Sequence, residues 1–209
     1  CIDYYPDFEN RWYVTGNAVD VLFNLLDMRE DVESSVISAV SDDFYGKKSV
    51  EAFENRGIDI SHLEIIPGGE TPKVPLYLVD NDRKHGDPVR GIMEGYGFSE
   101  EAMDFIASHD LVHSDFTGRL THRLGDIRRR MRPAPGELRI FFDLSNQHKH
   151  PDIKEVLSNI DCGLISFEGD LEGGKDFLRY ACSLGVKLMV ATFGKNGSLA
   201  YDGSKFYRG

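Results

Sequence analysis

Carboxylates close one apolar stretch after another in this chain: Asp3 near the start, Asp42 and Asp43 behind SSVISAVS, Asp115 and Asp143 behind later runs, then Glu168 and Asp170. Gathered at one rim, such groups accept hydrogen bonds from the hydroxyls of a polyol or hold magnesium through water. Aspartate is equally a common helix N-cap, and each residue taken singly also fits that role. A second set lies in VATFGKNGSLAY (190 to 201), where Thr192, Gly194 and Gly197 sit between two strand-like runs. Its glycines let backbone amides approach a phosphate, and the hydroxyl adds a hydrogen bond. The turn opens a hairpin, whereas Walker A and dinucleotide fingerprints open a helix, and a tight turn alone also explains the spacing. A third set, in YYPDFENRWYVTGNAVDVLFNLL (4 to 26), places Gly16, Asn17 and Asp20 at the mouth of a helix, with Asp3 just upstream.

The histidines point elsewhere than to a metal. His148 and His150 alternate in a loop, and His109 and His113 straddle a helix-to-strand junction, so neither pair shares a helix face. His113 reads as a buried or rim histidine, and Arg128 to Arg130 as a solvated helix face.

The elements that must position these groups alternate. Residues 34 to 40 form a buried strand by their β-branched content, and a helix over Lys47 to Arg56 stops at Gly57. Residues 57 to 66 are extended, and TPKVPLYLVD (71 to 80), with its two prolines, predicts an edge strand. Ser99 caps a helix through Ser108. Strands at 110 to 116, 137 to 145, 162 to 167 and 186 to 192 then alternate with helices to about Arg132, at 151 to 159 and at 171 to 184, before a hairpin around Asp202 and Gly203. Such alternation predicts a parallel sheet covered on both faces, with ligands gathering at the carboxyl ends of its strands.

At 209 residues one domain is the expectation, and a net charge of −11 argues against a binder of nucleic-acid backbones. Three cysteines without metal-like spacing predict a reducing cytoplasm and no disulfide framework. No stretch approaches the ~20 apolar residues that span a bilayer. CIDYYP reads as the tail of a strand, and the chain is expected to be trimmed at both ends.

In their order along nearly the whole chain, CIDYYP, TGNAVDV (15 to 21), SAVSDDFYGKK (38 to 48), GIDISH (57 to 62), DNDRKHGD (80 to 87), DLVHSDFTG (110 to 118), FFDLS (141 to 145) and TFGKNGSLAYDG (192 to 203) resemble the ribokinase-like sugar kinases of the phosphofructokinase B family. Within it they are most similar to the fructoselysine 6-kinase branch. The resemblance implies one α/β domain over 1 to 209, a three-layer α/β/α fold with a mostly parallel sheet and a small β lid. Strands near 11 to 15 and 71 to 80 would form the lid, which closes over the sugar and can join two subunits as a homodimer. It further implies ATP and Mg2+ as cofactors. Asp3, Gly16, Asn17 and Asp20 would bind the substrate, Asp143, Thr192, Gly194 and Gly197 the nucleotide, and Asp170 would lie near the magnesium, acting through water.

The implied activity is ATP-dependent phosphorylation of a primary hydroxyl on a sugar or sugar-amine adduct, with fructoselysine-type substrates favoured. A non-catalytic sugar-binding or regulatory homologue, or a ribose or nucleoside kinase, is the alternative. Neither nucleic acid nor membrane is an expected partner. Four departures stand out. Thr15 replaces the first of two hinge glycines, and Asp20 stands where asparagine is common. SFEGDLEGG lacks a clear asparagine and glutamate pair, and the GAGD motif that carries the catalytic base is expected beyond residue 209.

Overall fold

The residues IDYY form β1 (Ile2–Tyr5), which pairs antiparallel with β2 (Arg11–Val14). Helix α1 (Asn17–Met28) follows, then β3 (Ser38–Ser41), α2 (Phe44–Glu54), β4 (Leu63–Ile66), β5 (Lys73–Val79), β6 (Asp82–His85) and α3 (Glu100–Ser108). This computed structural model describes residues 1–29, 31–79, 82–117, 119–133 and 136–209. Asp80, the end of the expected lid strand, Asn81 and Gly118 lie outside the described residues. The chain divides into two compact units, Cys1–Ala102 and Met103–Gly209.

In the first unit the expected lid strands belong to one four-stranded sheet, in the order β2-β1-β5-β6. The prolines predicted an edge for residues 71 to 80, yet β5 lies inside this sheet, parallel to β1 and antiparallel to β6. Pro72 precedes the strand and its carbonyl accepts from the Ile2 amide at 3.0 Å. Pro75 ends the stretch paired with β1, and its carbonyl accepts from the Gly86 amide at 2.8 Å. The missing N–H therefore falls where pairing passes from one neighbour to the other, a place where a proline is tolerated.

Strand β3 starts later than 34, because Ser35 makes only an isolated bridge with Asp59 before the ladder with β4 begins at Ser38. Helix α2 starts earlier than Lys47, because Asp43 caps it by accepting from the Gly46 amide at 2.7 Å. Asp43 also accepts from the Thr71 hydroxyl at 2.6 Å and the Thr71 amide at 2.9 Å, and Thr71 Oγ1 in turn accepts from the Ser41 amide at 3.0 Å. Burial pulls the Asp43 carboxyl upward, but these bonds outweigh it and hold it below the usual range.

The second unit contains β7 (Val112–Asp115), a 3-10 turn at Thr121–Arg123, α4 (Leu124–Arg130), β8 (Ile140–Asp143), α5 (Ile153–Leu157), β9 (Cys162–Ser166), α6 (Leu171–Ser183), β10 (Leu188–Thr192), β11 (Ser198–Tyr201) and β12 (Phe206–Arg208). Its six strands lie in the order β12-β11-β10-β9-β8-β7, with β7 to β10 parallel and the closing hairpin antiparallel. One face carries Val112, Ile140, Phe142, Ile165, Met189, Ala191 and Leu199, all at most 8% exposed. The other carries Asp143, Leu164 and Thr192, with Leu164 42% exposed. Buried positions on α6 are Gly174, Leu178 and Ala181, a four- and three-residue spacing that puts one stripe inward.

Helix α4 ends at Arg130, short of the expected Arg132, because Met131 turns extended and Pro133 restrains the residue before it. Its arginines form a face that is largely solvated, as expected, and is also ion-paired. Arg128 pairs with Asp161 at 3.1 Å, Arg130 with Asp104 at 2.7 Å and Asp126 at 3.1 Å, and Arg129 with Asp126 at 3.6 Å; Arg128 and Arg129 are exposed. Asp161, 2% exposed, accepts from the amides of Arg139 and Ile140 and pairs with Lys187 at 3.1 Å. One buried carboxylate thus ties together the starts of β8, β9 and β10. The cysteines are free, and no helix among the described residues is long and apolar enough to cross a membrane.

Candidate functional site

In the first unit, the sequence Thr15-Gly16-Asn17 turns the chain from β2 into α1. Gly16 has φ 127 and ψ 152, a conformation that glycine adopts readily and side-chain-bearing residues rarely do. Thr15 is outside that region, so the residue that replaces the first hinge glycine is unstrained. It is buried, and its hydroxyl donates to Asp20 Oδ1 at 2.5 Å. This contact was missed in the sequence, although a hydroxyl five residues before a carboxylate across a helix start is its signal. No side chain caps α1, and the positive end of its dipole lies at this turn.

Asp3 lies half-buried on β1. Burial raises its carboxyl above the usual range, Asp20 raises it further, and Arg83 and His85 pull it down. Asp3 and Asp20 are therefore close enough to repel, beside a helix mouth that attracts anions and hydroxyls. Asn17 begins the helix, so the four residues expected to bind the substrate belong to one strand and one helix start within this unit.

In the second unit, Asp143 ends β8 and Thr192 ends β10, on the same face of the sheet with β9 between them. Thr192 Oγ1 makes only long contacts of 3.5 Å, to Ile165 O and Ser166 Oγ. A 3-10 turn, Gly194–Asn196, follows, closed by Phe193 N donating to Gly197 O at 2.9 Å. Gly194 and Gly197 have φ 56 and 89, and a side chain at Gly194 would point into open space. Phe193 packs on α6 because Gly174 leaves room: a Cβ there would meet the Phe193 ring at 2.4 Å. The small residue on the helix thereby fixes the turn.

Asp143 faces Asp115 across the β7–β8 pairing, with His113 two residues earlier on the same face. Asp143 accepts from the Ser145 amide at 2.7 Å, and Asp115 from the Thr117 amide and hydroxyl at 2.7 and 2.6 Å. Burial raises the Asp143 carboxyl, the Ser145 amide opposes this, and the Asp115 charge adds to the rise. His113 is pushed down by burial, against the pull of both aspartates, and its Nε2 is buried without a hydrogen-bond partner. A glycine turn open to phosphate, two anchored carboxylates and an orphaned buried nitrogen fit a nucleotide phosphate with its hydrated magnesium.

The remaining strand-end carboxylates have local partners. Asp42 accepts from the Gly68 amide at 2.9 Å, and Glu168 from Asn146 at 2.8 Å. Asp170 is the N-cap of α6, accepting from the Gly173 amide at 2.8 Å. Replacing it with alanine is expected to cost about 1 kcal/mol in denaturant unfolding and with asparagine almost nothing, since both native and Asn side chains cap. Equal losses would assign the effect to charge instead. One set with metal-ligating atoms within 4.8 Å, His122, Asp152 and Glu155, was not foreseen. His122 and Glu155 are exposed and Asp152 partly so, and the hydrogen bond to Glu155 raises His122.

Solved structures share this fold. The PfkB protein from Polaromonas sp. JS666 superposes with a TM-score of 0.75 at 18% identity, over 99% of this chain and 78% of its own. Arabidopsis thaliana ribokinase complexed with ribose and ATP gives 0.77 at 14% identity, over 100% and 73%. The fold is thus that of the ribokinase-like proteins. No family model matches the chain. Fructoselysine 6-kinase of Shigella flexneri is 30% identical to it over 208 residues, which span 100% of this chain and 76% of the relative. The chain belongs to the ribokinase-like, phosphofructokinase B family of sugar kinases, the family of that enzyme.

Proposed function

We propose that this protein is an ATP-dependent kinase that phosphorylates a primary hydroxyl of a sugar-amine adduct of the fructoselysine type. The observation that carries the reading is the pair Asp3 and Asp20 at the uncapped mouth of α1. Two carboxylates accept from neighbouring sugar hydroxyls, and their excess negative charge favours an acceptor that bears an amine. The relatives named as fructoselysine 6-kinase support the same acceptor class. Residues 1 to 209 would act as one kinase domain, in the cytoplasm, with the four-stranded sheet serving as lid and as the contact of a homodimer.

Asp3, Gly16, Asn17 and Asp20 would hold the acceptor; Thr192, Gly194 and Gly197 would hold the nucleotide phosphates, with Asp143 beside them. Magnesium, when bound, would neutralise charge on the transferred phosphoryl group, and Asp143 and Asp170 are the carboxylates that would organise its water. The lid would exclude water from the reaction. No general base is assigned among residues 1 to 209.

A coupled assay of ADP release across hexoses, nucleosides and fructosamines tests the reading. Sugar-dependent turnover, highest with fructosamines, is expected; ligand binding without turnover would instead identify a sugar-binding homologue. Thr192→Val is expected to raise the KM for ATP by roughly two- to tenfold, the value of one neutral hydrogen bond, and to leave the acceptor KM unchanged. An acceptor KM that rises equally would remove Thr192 from the nucleotide side.

A further inference from the structure

Asp3 shares its face of the four-stranded sheet with a guanidinium and an imidazole. Asp3 is paired with Val74, Leu76 with His85 and Leu78 with Arg83. Alternate residues of a strand share a face, so Asp3, His85 and Arg83 project from the same side. Measured along the strands, His85 lies two residues, about 7 Å, and Arg83 four residues, about 13 Å, beyond the level of Asp3. Both are exposed, and Tyr13, across β1 from Asp3, is 52% exposed on the same face. The surface therefore runs from a negative pole at Asp3 and Asp20 to a positive one at Arg83, with the His85 imidazole between their levels. Asp3 feels each of these charges, Asp20 raising its carboxyl and Arg83 and His85 lowering it.

An uncharged sugar uses only the first pole. The adduct of a reducing sugar with the side-chain amine of lysine uses both, because it carries an ammonium beside the sugar and an α-carboxylate at the far end of a four-carbon stem. We propose that Arg83 and His85 select the acceptor by binding the carboxylate of its amino-acid part, while Asp3 and Asp20 hold the sugar and its amine. This rests on the kinase reading above. A guanidinium presents two parallel donors that match a carboxylate, and its five N–H groups leave donors for such a ligand beside the interaction Arg83 already makes. His85 adds a donor from the neighbouring level of the strand.

The test compares two acceptors that differ at this group, the fructose adducts of lysine and of cadaverine, which is lysine without its carboxylate. With the full-length protein, kcat/KM is expected to favour the lysine adduct about tenfold. In Arg83→Gln with His85→Gln that ratio is expected to fall to near one, with the cadaverine adduct giving the baseline in each protein and a melting curve confirming the fold. A ratio near one in the unmodified protein, or an unchanged ratio in the double variant, overturns the inference and leaves the kinase reading standing. No turnover of either adduct or of any sugar overturns both.

Discussion

Asp3→Asn is expected to weaken acceptor binding by roughly ten- to a hundredfold, the loss of about 1.5–3 kcal/mol for a charge-assisted hydrogen bond, while ATP binding stays unchanged. The same variant is expected to melt higher than the native protein at neutral pH. Asp3 is held above its ordinary value of 3.8 by burial and by Asp20, so its charged form opposes folding. A raised carboxyl destabilises the fold fully above its folded pKa, and that penalty fades as pH falls through the folded pKa toward 3.8. The stability gained with asparagine should shrink over the same interval. Calorimetric titrations with acceptor and with ATP, and melting curves from pH 7 down to about 4, measure both halves. Equal losses for the two ligands would take Asp3 out of the acceptor side, and a lower melting point at neutral pH would show that the carboxylate stabilises the fold.

Gly46→Ala is expected to be the most damaging small substitution in the first unit. A Cβ at Gly46 would lie 1.8 Å from the Ser41 carbonyl oxygen, 2.8 Å from its carbon and 2.9 Å from Thr71 Oγ1. None of these can yield cheaply. Ser41 is held in the β3–β4 ladder and by its amide bond to Thr71, and Thr71 is bound through two atoms to Asp43. To admit a methyl group, α2 must draw back from β3 and break its own cap. We expect a loss of about 3 kcal/mol or more, and a melting point lower by about 10 °C. A shift within about 2 °C would mean that the helix start moves freely.

The alternation of strands and helices after Ser99 was legible because each element has its own period and its own terminating residue. Boundaries failed where a side chain from elsewhere decided them. Asp43 starts α2 three residues early because it bonds to Gly46 and Thr71, and the latter partner is 28 residues away. Pro75 lies in an interior strand because pairing changes sides at that residue, which no local pattern reveals. The solvated face of α4 was legible, but the pairing of Arg128 with Asp161 was not, because that carboxylate lies far along the chain. In the candidate site, residue types at strand ends and glycine spacing pointed to Asp3, Gly16, Asp143, Thr192 and Gly194. The bond from Thr15 to Asp20 and the charges of β6 on the face of Asp3 needed the folded pairing.

The four- and six-stranded sheets differ in when their strands can form during synthesis. Strands β7, β8, β9 and β10 stand side by side in the order in which a ribosome makes them. Each strand after β7 finds its neighbour already in place, so this series grows at one edge. The first sheet has the reverse problem: Ile2 pairs with Lys73, and β1 must hold an open, aromatic-rich edge while about 70 residues are still being translated. Chaperone dependence in a nascent chain should therefore fall on the amino-terminal half.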